Sequence, residues 1–499
     1  MNRVEVKEEL DYIEKISKIN AGKNLKYFIL TMGCQLNEND SEKLCGMIEK
    51  MGYTKAENLN ESDLVVFNTC CVRENAEDRL FGKLGEVKKI KESRGTIIAI
   101  GGCMMQEKHI QEKLKKSYPY YDLVFGTHTI HKFPVDLYKI IINQKRIEDI
   151  LDIDGEVIEG LPIKRNDNIK ASVTIMNGCN NFCTYCIVPF VRGRERSRNP
   201  EDIINEVESL AKQGFKEITL LGQNVNSYKG NGNLGINRFS DLLRAVNKIG
   251  GIERIRFVSP HPKDFTDDVI DAIKECEKVC KIIHLPLQAG SNEVLKAMNR
   301  NYTKEKYLNL VKKMREKIPN VEFSTDIIVG FPGETEEDFE DTLDVVEKVC
   351  FEQVFMFIYS RRVGTRADKM ENQVPEEIKH ERFNKLKALV ESQIEINNKK
   401  YVGTIQKVLV EGKSKTNENI LTGRTDTNKV VNFEGDESLI GNIVNMEIIS
   451  EHMWYLKGII KWTKIQKNDV KKKDCQIILL DNFLREFIVW DDLAIFFLT

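Results

Sequence analysis

A chain of 499 residues is too long for one ordinary hydrophobic core, so we expect two or three domains. With 41% hydrophobic and 30% charged residues it is typical of a soluble globular protein, and it contains no long uncharged apolar run that would predict a membrane span. The formal net charge of −2 excludes a global attraction to nucleic acid, so any such binding must come from local patches.

The first residues, MNRVEVKEELDYIEK, alternate acidic and basic side chains without an apolar stretch, which argues against a secretory signal. We therefore expect a cytoplasmic protein whose thiols stay reduced. The chain has 12 cysteines, and in a reducing compartment cysteines at this frequency are more often metal-binding or catalytic than disulfide-forming.

Residues 24–150 alternate short apolar runs with helical patterns, which predicts a doubly wound parallel α/β domain. The predicted strands are KYFILTM (26–32), DLVVFNT (63–69) and TIIAIGG (96–102), with a helix predicted over 74–91. Cys34, Cys70 and Cys103 each follow one of these strands. Because the carboxyl ends of parallel strands share one edge, these cysteines are candidates for a three-thiolate site. Cys71 points away from Cys70, and spacing does not choose between the two.

Residues 168–397 repeat strand and helix six times, which predicts a partial (β/α)6 barrel with its chemistry at the carboxyl ends of the strands. The six predicted strands are ASVTI (171–175), EITLLG (217–222), RIRFVS (254–259), KIIHLPL (281–287), EFSTDIIVGF (322–331) and QVFMFIY (353–359). Helices are predicted over 200–213 and 375–400.

The loop after the first barrel strand, NGCNNFCTYCIVP, places Cys179, Cys183 and Cys186 in a C-x3-C-x2-C array. A structural zinc site needs four ligands, and a cubane iron–sulfur cluster is usually held by four thiolates. Three thiolates suit a cubane whose fourth iron is left open for a substrate. A zinc site completed by a distant histidine, or three unrelated thiols, remain alternatives, although no histidine lies between His131 and His261.

Two further barrel segments carry candidate binding residues. Four arginines in VRGRERSR either bind RNA phosphates or form ion pairs with neighbouring carboxylates. They are Arg192, Arg194, Arg196 and Arg198. The turn Gly330-Phe331-Pro332-Gly333 either approaches a cofactor closely, since glycine lacks a Cβ, or is an ordinary turn between a strand and a helix.

Residues 398–462 change to alternating apolar and polar residues in TIQKVLVEG, VVNFEG and NIVNMEIIS, which predicts a small antiparallel β-barrel. Its basic residues form either an RNA platform or a solvated hairpin face; they are Lys413, Lys415, Arg424 and Lys429. Residues 463–499 form an atypical tail of unassigned role, which charged residues interrupt too often for a membrane span.

The cysteine array at 179–186 resembles the signature of radical S-adenosylmethionine (radical SAM) enzymes, in which the open iron chelates S-adenosylmethionine. TMGCQLNENDSE, NTCCVRENAEDR and GGCMMQ resemble the three amino-terminal motifs of the methylthiotransferase family within that superfamily, and LLGQNVNSY, HLPLQAGS and TDIIVGFPGET follow in family order. EGKSK and LTGRTDTNKVVNFEG resemble the RNA-binding TRAM domain. The resemblance covers about residues 24–460, and Ala289 and Arg366 depart from the usual residues beside two motifs.

The resemblance implies two 4Fe–4S clusters with separate tasks. Cys179, Cys183 and Cys186 hold the cluster that cleaves S-adenosylmethionine, and Cys34, Cys70 and Cys103 hold an auxiliary cluster for sulfur insertion. The expected reaction is methylthiolation of carbon 2 of an isopentenylated adenosine beside the tRNA anticodon. It requires an electron donor of the flavodoxin or ferredoxin type and a sulfur source.

Three alternatives remain for the function. A sibling methylthiotransferase would act on threonylcarbamoyl-adenosine in tRNA, and another on a ribosomal protein. A non-catalytic RNA-binding protein with structural zinc would share the cysteine pattern but would have no enzymatic activity.

Overall fold

The structure is a computed structural model that describes residues 6–72, 76–151 and 155–461. The chain divides into two compact units, the first ending at Ile394 and the second beginning at Glu395. The predicted N-terminal and partial-barrel domains both lie in the first unit, and the predicted small barrel lies in the second. The boundaries of the individual domains stay predictions, and the predicted tail lies outside the described residues.

The N-terminal part consists of helices and short strands in alternation. The helices are α1 (Lys7–Asn20), α2 (Gln35–Lys50), α3 (Ala76–Arg94), α4 (Lys108–Ser117) and α5 (Phe133–Asn143). The strands are β1 (Lys26–Thr31), β2 (Thr54–Lys55), β3 (Leu64–Thr69), β4 (Ile97–Gly102), β5 (Leu123–Phe125) and β6 (Ile147–Asp149).

These strands form one parallel sheet in the order β2-β1-β3-β4-β5-β6. Helices cover both faces, with Ile16, Met47 and Leu137 packed in one core and Leu84 and Leu114 in the other. The doubly wound α/β prediction is confirmed. The chain runs outward from β1 to β2 and then back to β3, so the sheet has its switch point between β1 and β3, where open α/β sheets bind ligands.

The middle part repeats strand and helix as predicted. Its strands are β7 (Lys170–Thr174), β8 (Met176–Asn177), β9 (Arg196–Ser197), β10 (Glu217–Leu221), β11 (Arg254–Phe257), β12 (Ile282–His284), β13 (Glu322–Val329) and β14 (Gln353–Ile358). Its helices are α6 (Val188–Val191), α7 (Pro200–Lys212), α8 (Phe239–Asn247), α9 (Asp267–Glu275), α10 (Asn292–Ala297), α11 (Lys304–Lys317), α12 (Glu336–Val349) and α13 (Glu376–Lys399).

Six parallel strands build the partial barrel, in two sheets ordered β11-β10-β7 and β12-β13-β14. A parallel bridge between Ile255 and Val279 joins β11 to the segment before β12. All six predicted barrel strands are present, and one large core packs the helices against their outer face. The outer strands β7 and β14 are the edges of a partial barrel.

The N-terminal sheet and the partial barrel meet along α2 and β7. Asn39 donates to the Ser172 carbonyl (3.2 Å) and accepts from the Thr174 hydroxyl (2.9 Å). Arg165 pairs with Glu42 on α2 (2.8 Å), and this arginine also contacts Glu206 on α7. These buried polar contacts hold the carboxyl edge of the N-terminal sheet beside the first barrel strand.

The second unit contains a closed barrel of five strands in the order β15-β16-β17-β19-β18. The strands are β15 (Ile405–Ser414), β16 (Asn417–Thr425), β17 (Val430–Phe433), β18 (Ile443–Glu451) and β19 (Leu456–Ile460). The prediction of a small barrel is confirmed, with one difference: β17 and β19 pair in parallel. An odd number of strands with alternating direction cannot close with antiparallel pairs alone.

Two further observations complete the fold. Helix α1 was not predicted; it buries Ile13 and Ile16 against the N-terminal sheet. Across the described ranges, every helix is too short or too polar to cross a lipid bilayer.

Candidate functional site

The three N-terminal cysteines lie at the carboxyl ends of adjacent strands. Cys34 follows β1, Cys70 follows β3 and Cys103 follows β4. Gly33 has φ +114°, and a Cβ there would lie 2.4 Å from the Cys70 Cβ. Glycine at this position therefore allows the Cys70 side chain to pack against the backbone beside Cys34. All three are free thiols, with Cys34 exposed and the other two buried.

The buried amide of Asn37 links two of these strand ends and two of the thiols. Its Nδ2 donates to the carbonyls of Met32 (3.0 Å) and Thr69 (2.7 Å). Its Oδ1 accepts from the thiols of Cys34 (3.8 Å) and Cys103 (3.7 Å). Sequence reasoning missed Asn37, although its place three residues after Cys34, in the first turn of α2, puts it near the same edge.

The structure places Cys71 against Cys103. Cys71 and Cys103 share a packed cluster with Ile187 and Val191 from the barrel loop. The hydrogen bond from Cys71 is the largest cause that lowers the pKa of Cys103, and it raises the pKa of Cys71 itself. Cys70 packs on Gly33 beside Cys34. The assignment of Cys70 as the cluster ligand stays a prediction.

The loop with the second cysteine array is held by contacts from other barrel loops. Asn299 donates to the carbonyls of Asn181 (3.0 Å) and Phe182 (3.1 Å), and Phe182 adopts a left-handed φ of 48°. The Thr184 amide donates to the Met298 carbonyl (3.0 Å). The loop is thus anchored between α10 and the next turn, close to the end of β12.

The thiols of this loop lie in a buried environment with few donors. Asn181 donates to the sulfur of Cys179 (3.5 Å), and Arg300 donates to the sulfur of Cys183 (3.4 Å). Burial raises the pKa of Cys179 to about 11 and of Cys186 to about 12, and neighbouring thiols add to both shifts. Bound metal favours the thiolate, so loading this loop would release protons.

The two sets of cysteines are the candidate ligands for iron–sulfur clusters. Within the described residues, no three His, Cys, Asp or Glu side chains are arranged to hold a single metal ion. A cubane takes one thiolate at each of three separate irons, so its ligands need not converge on one point. The thiols of each set lie at one sheet edge or on one loop and are of the type that binds iron–sulfur clusters, and their assignment as ligands stays a prediction.

The Gly330–Gly333 turn is explained by contacts within the protein. A Cβ on Gly330 (φ +72°) would lie 2.3 Å from the Lys379 side chain, and a Cβ on Gly333 (φ +84°) would lie 2.3 Å from the Asn372 amide. Phe331 is fully buried in the barrel core. These glycines are needed for packing, and the proposed contact of this turn with S-adenosylmethionine stays a prediction.

The arginines of VRGRERSR occupy different environments. Arg192 and Arg196 are buried, and Arg198 bonds to Glu159 (2.7 Å) and Glu206 (2.7 Å). Arg194 is exposed and lies over the Phe182 ring at 4.7 Å. This placement favours the ion-pair interpretation for Arg192 and Arg198, and the role of Arg194 in RNA binding stays a prediction.

The basic residues of the small barrel lie on β15 and β16, in the turn between them and in the turn after β16. Lys413 and Lys415 are exposed, and Lys413 pairs with Glu437 (2.7 Å). Arg424 is half-buried and pairs with Glu411 (3.4 Å). Their role in RNA binding stays a prediction, with Lys415 at the exposed tip between the two strands.

An aromatic surface that sequence reasoning missed lies on the inner face of the partial barrel. Phe355 and Phe357 on β14 are 42% and 51% exposed. Their neighbour Val354, on the opposite face of the same strand, is buried against the helices. His284 on β12 contacts Phe355 edge-on at 5.9 Å and approaches Asp326 at 3.3 Å. The sequence could have predicted this surface, because successive side chains of a strand point to opposite faces and every second residue of β14 therefore faces away from the helices.

Comparison with known proteins agrees with these observations. The chain matches the Radical SAM superfamily over residues 173–346, the uncharacterised protein family UPF0004 over residues 26–126 and the TRAM domain over residues 399–461. A solved radical S-adenosylmethionine methyltransferase from Kitasatospora setae, with cobalamin and a [4Fe-4S] cluster bound, has a TM-score of 0.51 at 15% identity over 69% of this chain and 74% of that one. At this identity the likeness shows the fold alone.

The chain is therefore a radical SAM transferase with a TRAM domain. It is 55% identical to the tRNA-2-methylthio-N(6)-dimethylallyladenosine synthase of Acetivibrio thermocellus, over 90% of this chain and 95% of that protein. It is also 55% identical to the protein of the same name from Clostridium beijerinckii, over 90% of this chain and 99% of that one. The chain belongs to the tRNA-2-methylthio-N(6)-dimethylallyladenosine synthase family, which confirms the resemblance found in its motifs.

Proposed function

We propose that this protein replaces the hydrogen on carbon 2 of isopentenylated adenosine, next to the tRNA anticodon, with a methylthio group. The observation that carries the proposal is the placement of Cys34, Cys70 and Cys103 at adjacent strand ends, in the same compact unit as the loop with Cys179, Cys183 and Cys186, within a chain of this family. That C–H bond carries no acidic proton, so a positioned general base cannot break it near neutral pH. A radical route is therefore chemically reasonable.

Cys179, Cys183 and Cys186 would hold the first 4Fe–4S cluster. S-adenosylmethionine bound there would supply the radical chemistry that removes the hydrogen from carbon 2, and a further S-adenosylmethionine would supply the methyl group. Arg300 donates to the sulfur of Cys183 (3.4 Å) and is buried, so it would orient that sulfur. Asn181 does the same for Cys179 with a neutral donor.

Cys34, Cys70 and Cys103 would hold the auxiliary 4Fe–4S cluster, which supplies the inserted sulfur. Asn37 orients two of these thiols, and its own position is fixed by the carbonyls at the ends of β1 and β3. The sulfur is replenished by a sulfur source, and electrons come from a small reductant of the flavodoxin or ferredoxin type. Oxygen-sensitive clusters need a reducing compartment, which supports a cytoplasmic location in this proposal.

The target base would enter the partial barrel from its open side. Bases in single-stranded loops splay out and stack on aromatic side chains. The exposed rings of Phe355 and Phe357 offer such a surface and cover the apolar isopentenyl group as well. Arg194 and the small-barrel residue Lys415 would contact the RNA backbone, as their exposure permits.

The test is nucleoside mass spectrometry of tRNA from a bacterial strain that lacks this modification. Expression of this chain is expected to restore the methylthio-isopentenyl nucleoside, and a variant with Cys179, Cys183 and Cys186 changed to alanine is the control. Modification of threonylcarbamoyl-adenosine or of a ribosomal protein instead would assign the chain to a sibling activity. No modified product, with zinc in the purified protein, would favour the non-catalytic alternative.

A further inference from the structure

Arg192 connects the two proposed cluster sites along a short stretch of chain. It lies six residues after Cys186 and directly follows α6. Ile187 and Val191, on the same stretch, pack against Cys71 and Cys103 of the N-terminal sheet. One end of this segment therefore carries a proposed ligand of the first cluster, and the other end reaches the proposed auxiliary site.

The guanidinium of Arg192 is buried and makes three contacts at the edge of the N-terminal sheet. Its Nε donates to the sulfur of Cys103 (3.2 Å). One terminal nitrogen donates to Asn37 Oδ1 (2.8 Å) and lies 2.8 Å from Asp40 Oδ2. Cys34 donates to the same Asn37 oxygen. One positive charge is thus placed among the thiols that the proposed function assigns to the auxiliary cluster.

We propose that Arg192 is a positioning residue for the auxiliary cluster, which orients the Cys103 thiolate and raises the cluster's reduction potential. The inference rests on the proposed function. A donor to a ligating sulfur and a nearby positive charge both stabilise the more negative, reduced cluster. Asp40 balances part of that charge and so has the opposite influence on the potential.

A purely structural role is the competing explanation, because buried ion pairs also join the N-terminal sheet to the barrel. Arg198 provides the matched comparison. It is half-buried beside the same junction and bonds to Glu159 and Glu206, while none of its hydrogen bonds within the described residues reaches a cysteine. A structural role predicts similar behaviour for both arginines, whereas the positioning role predicts an electrochemical change for Arg192 alone.

The experiment uses full-length protein in which Cys179, Cys183 and Cys186 are alanine, so that the auxiliary cluster is the one reconstituted. Iron and sulfide are quantified, and the midpoint potential is measured by titration followed by electron paramagnetic resonance. Arg192→Gln is expected to shift the potential to a more negative value, and Arg192→Lys to recover part of the shift. Asp40→Asn is expected to shift it to a more positive value, and Arg198→Gln to leave it unchanged.

Each outcome has a defined meaning. Loss of the cluster in Arg192→Gln with retention in Arg192→Lys also supports the positioning role, since the charge alone rescues it. An unchanged potential in Arg192→Gln, or equal loss of cluster in all arginine variants, would overturn it. If the protein with an intact Arg192 binds no iron and sulfide, the failure lies with the proposed second cluster itself.

Discussion

Replacement of Asn37 by alanine tests whether this amide holds the carboxyl edge of the N-terminal sheet together. The change removes the donor to the Met32 and Thr69 carbonyls and the acceptor for Arg192. Asn37 is fully buried, so water cannot replace the lost partners. The consequence is expected in the apoprotein, before any cluster is loaded.

The expected loss of stability follows from the number of buried polar groups that lose their hydrogen-bond partner when the Asn37 amide is removed. A buried polar group that loses its partner costs about 1–3 kcal/mol, and two carbonyls are affected. Alanine has the higher helix propensity in α2, which offsets less than about 1 kcal/mol. The free energy of unfolding should therefore fall by about 2–5 kcal/mol.

The assay is equilibrium urea unfolding of the apoprotein under anaerobic, reducing conditions, followed by circular dichroism. Asn60→Ala is the matched control, because this asparagine is exposed and its replacement should change stability by less than about 0.5 kcal/mol. A loss of stability in Asn37→Ala no larger than in the control would refute the reasoning. It would mean that the two carbonyls do not depend on the amide.

Four further predictions concern the clusters, the substrate and the pH dependence. Cys70→Ala should leave about four irons per chain after anaerobic reconstitution and Cys71→Ala about eight, and the reverse result would exchange their roles. Phe355→Ala should raise the KM for isopentenylated tRNA without changing the affinity for the same tRNA with unmodified adenosine. An equal change for both tRNAs would show that Phe355 does not contact the modified base. Burial raises the pKa of Asp136 to about 6, so its stabilising contribution is present at pH 4 and lost as the pH rises through 6. The urea midpoint of the protein should therefore fall over this pH range, and Asp136→Asn should reduce the fall. An unchanged pH profile in the variant would contradict this prediction. Lys415→Gln should weaken tRNA binding and reduce the slope of log affinity against log salt by about 0.7–0.9, whereas an unchanged slope would exclude a phosphate contact.

The strands that carry the site could be predicted from the sequence because their apolar runs are short, continuous and separated by helical patterns. The predicted strand at 63–69 is β3 (Leu64–Thr69), all of whose residues are buried. Its buried faces on both sides are typical of a parallel sheet covered by helices. The cysteines after such strands then share one edge as a consequence of topology.

Helix α1 was missed for the opposite reason. Half of its fourteen residues are charged, and apolar contacts with the sheet come from few positions such as Ile13 and Ile16. A pattern this sparse does not stand out from a solvated segment. Tertiary packing against α5, distant in sequence, determines that these residues are buried.

The environments of the arginines could not be predicted from their spacing. Arg192 and Arg194 differ by two positions, yet one is buried against Asp40 and the other is exposed over Phe182. Two of the residues that contact Arg192, Asn37 and Asp40, lie on helix α2, far away along the chain. The local sequence shows that a side chain is charged, but the packing of the N-terminal part against the barrel determines which groups surround it.

The most direct test of the account is the iron and acid-labile sulfide content of the anaerobically reconstituted protein. About eight irons and eight sulfides per chain are expected, falling to about four of each when Cys34, Cys70 and Cys103 are changed to alanine. The same decrease is expected when Cys179, Cys183 and Cys186 are changed. Zinc without sulfide, or the full eight irons in either triple variant, would contradict two separate three-thiolate clusters.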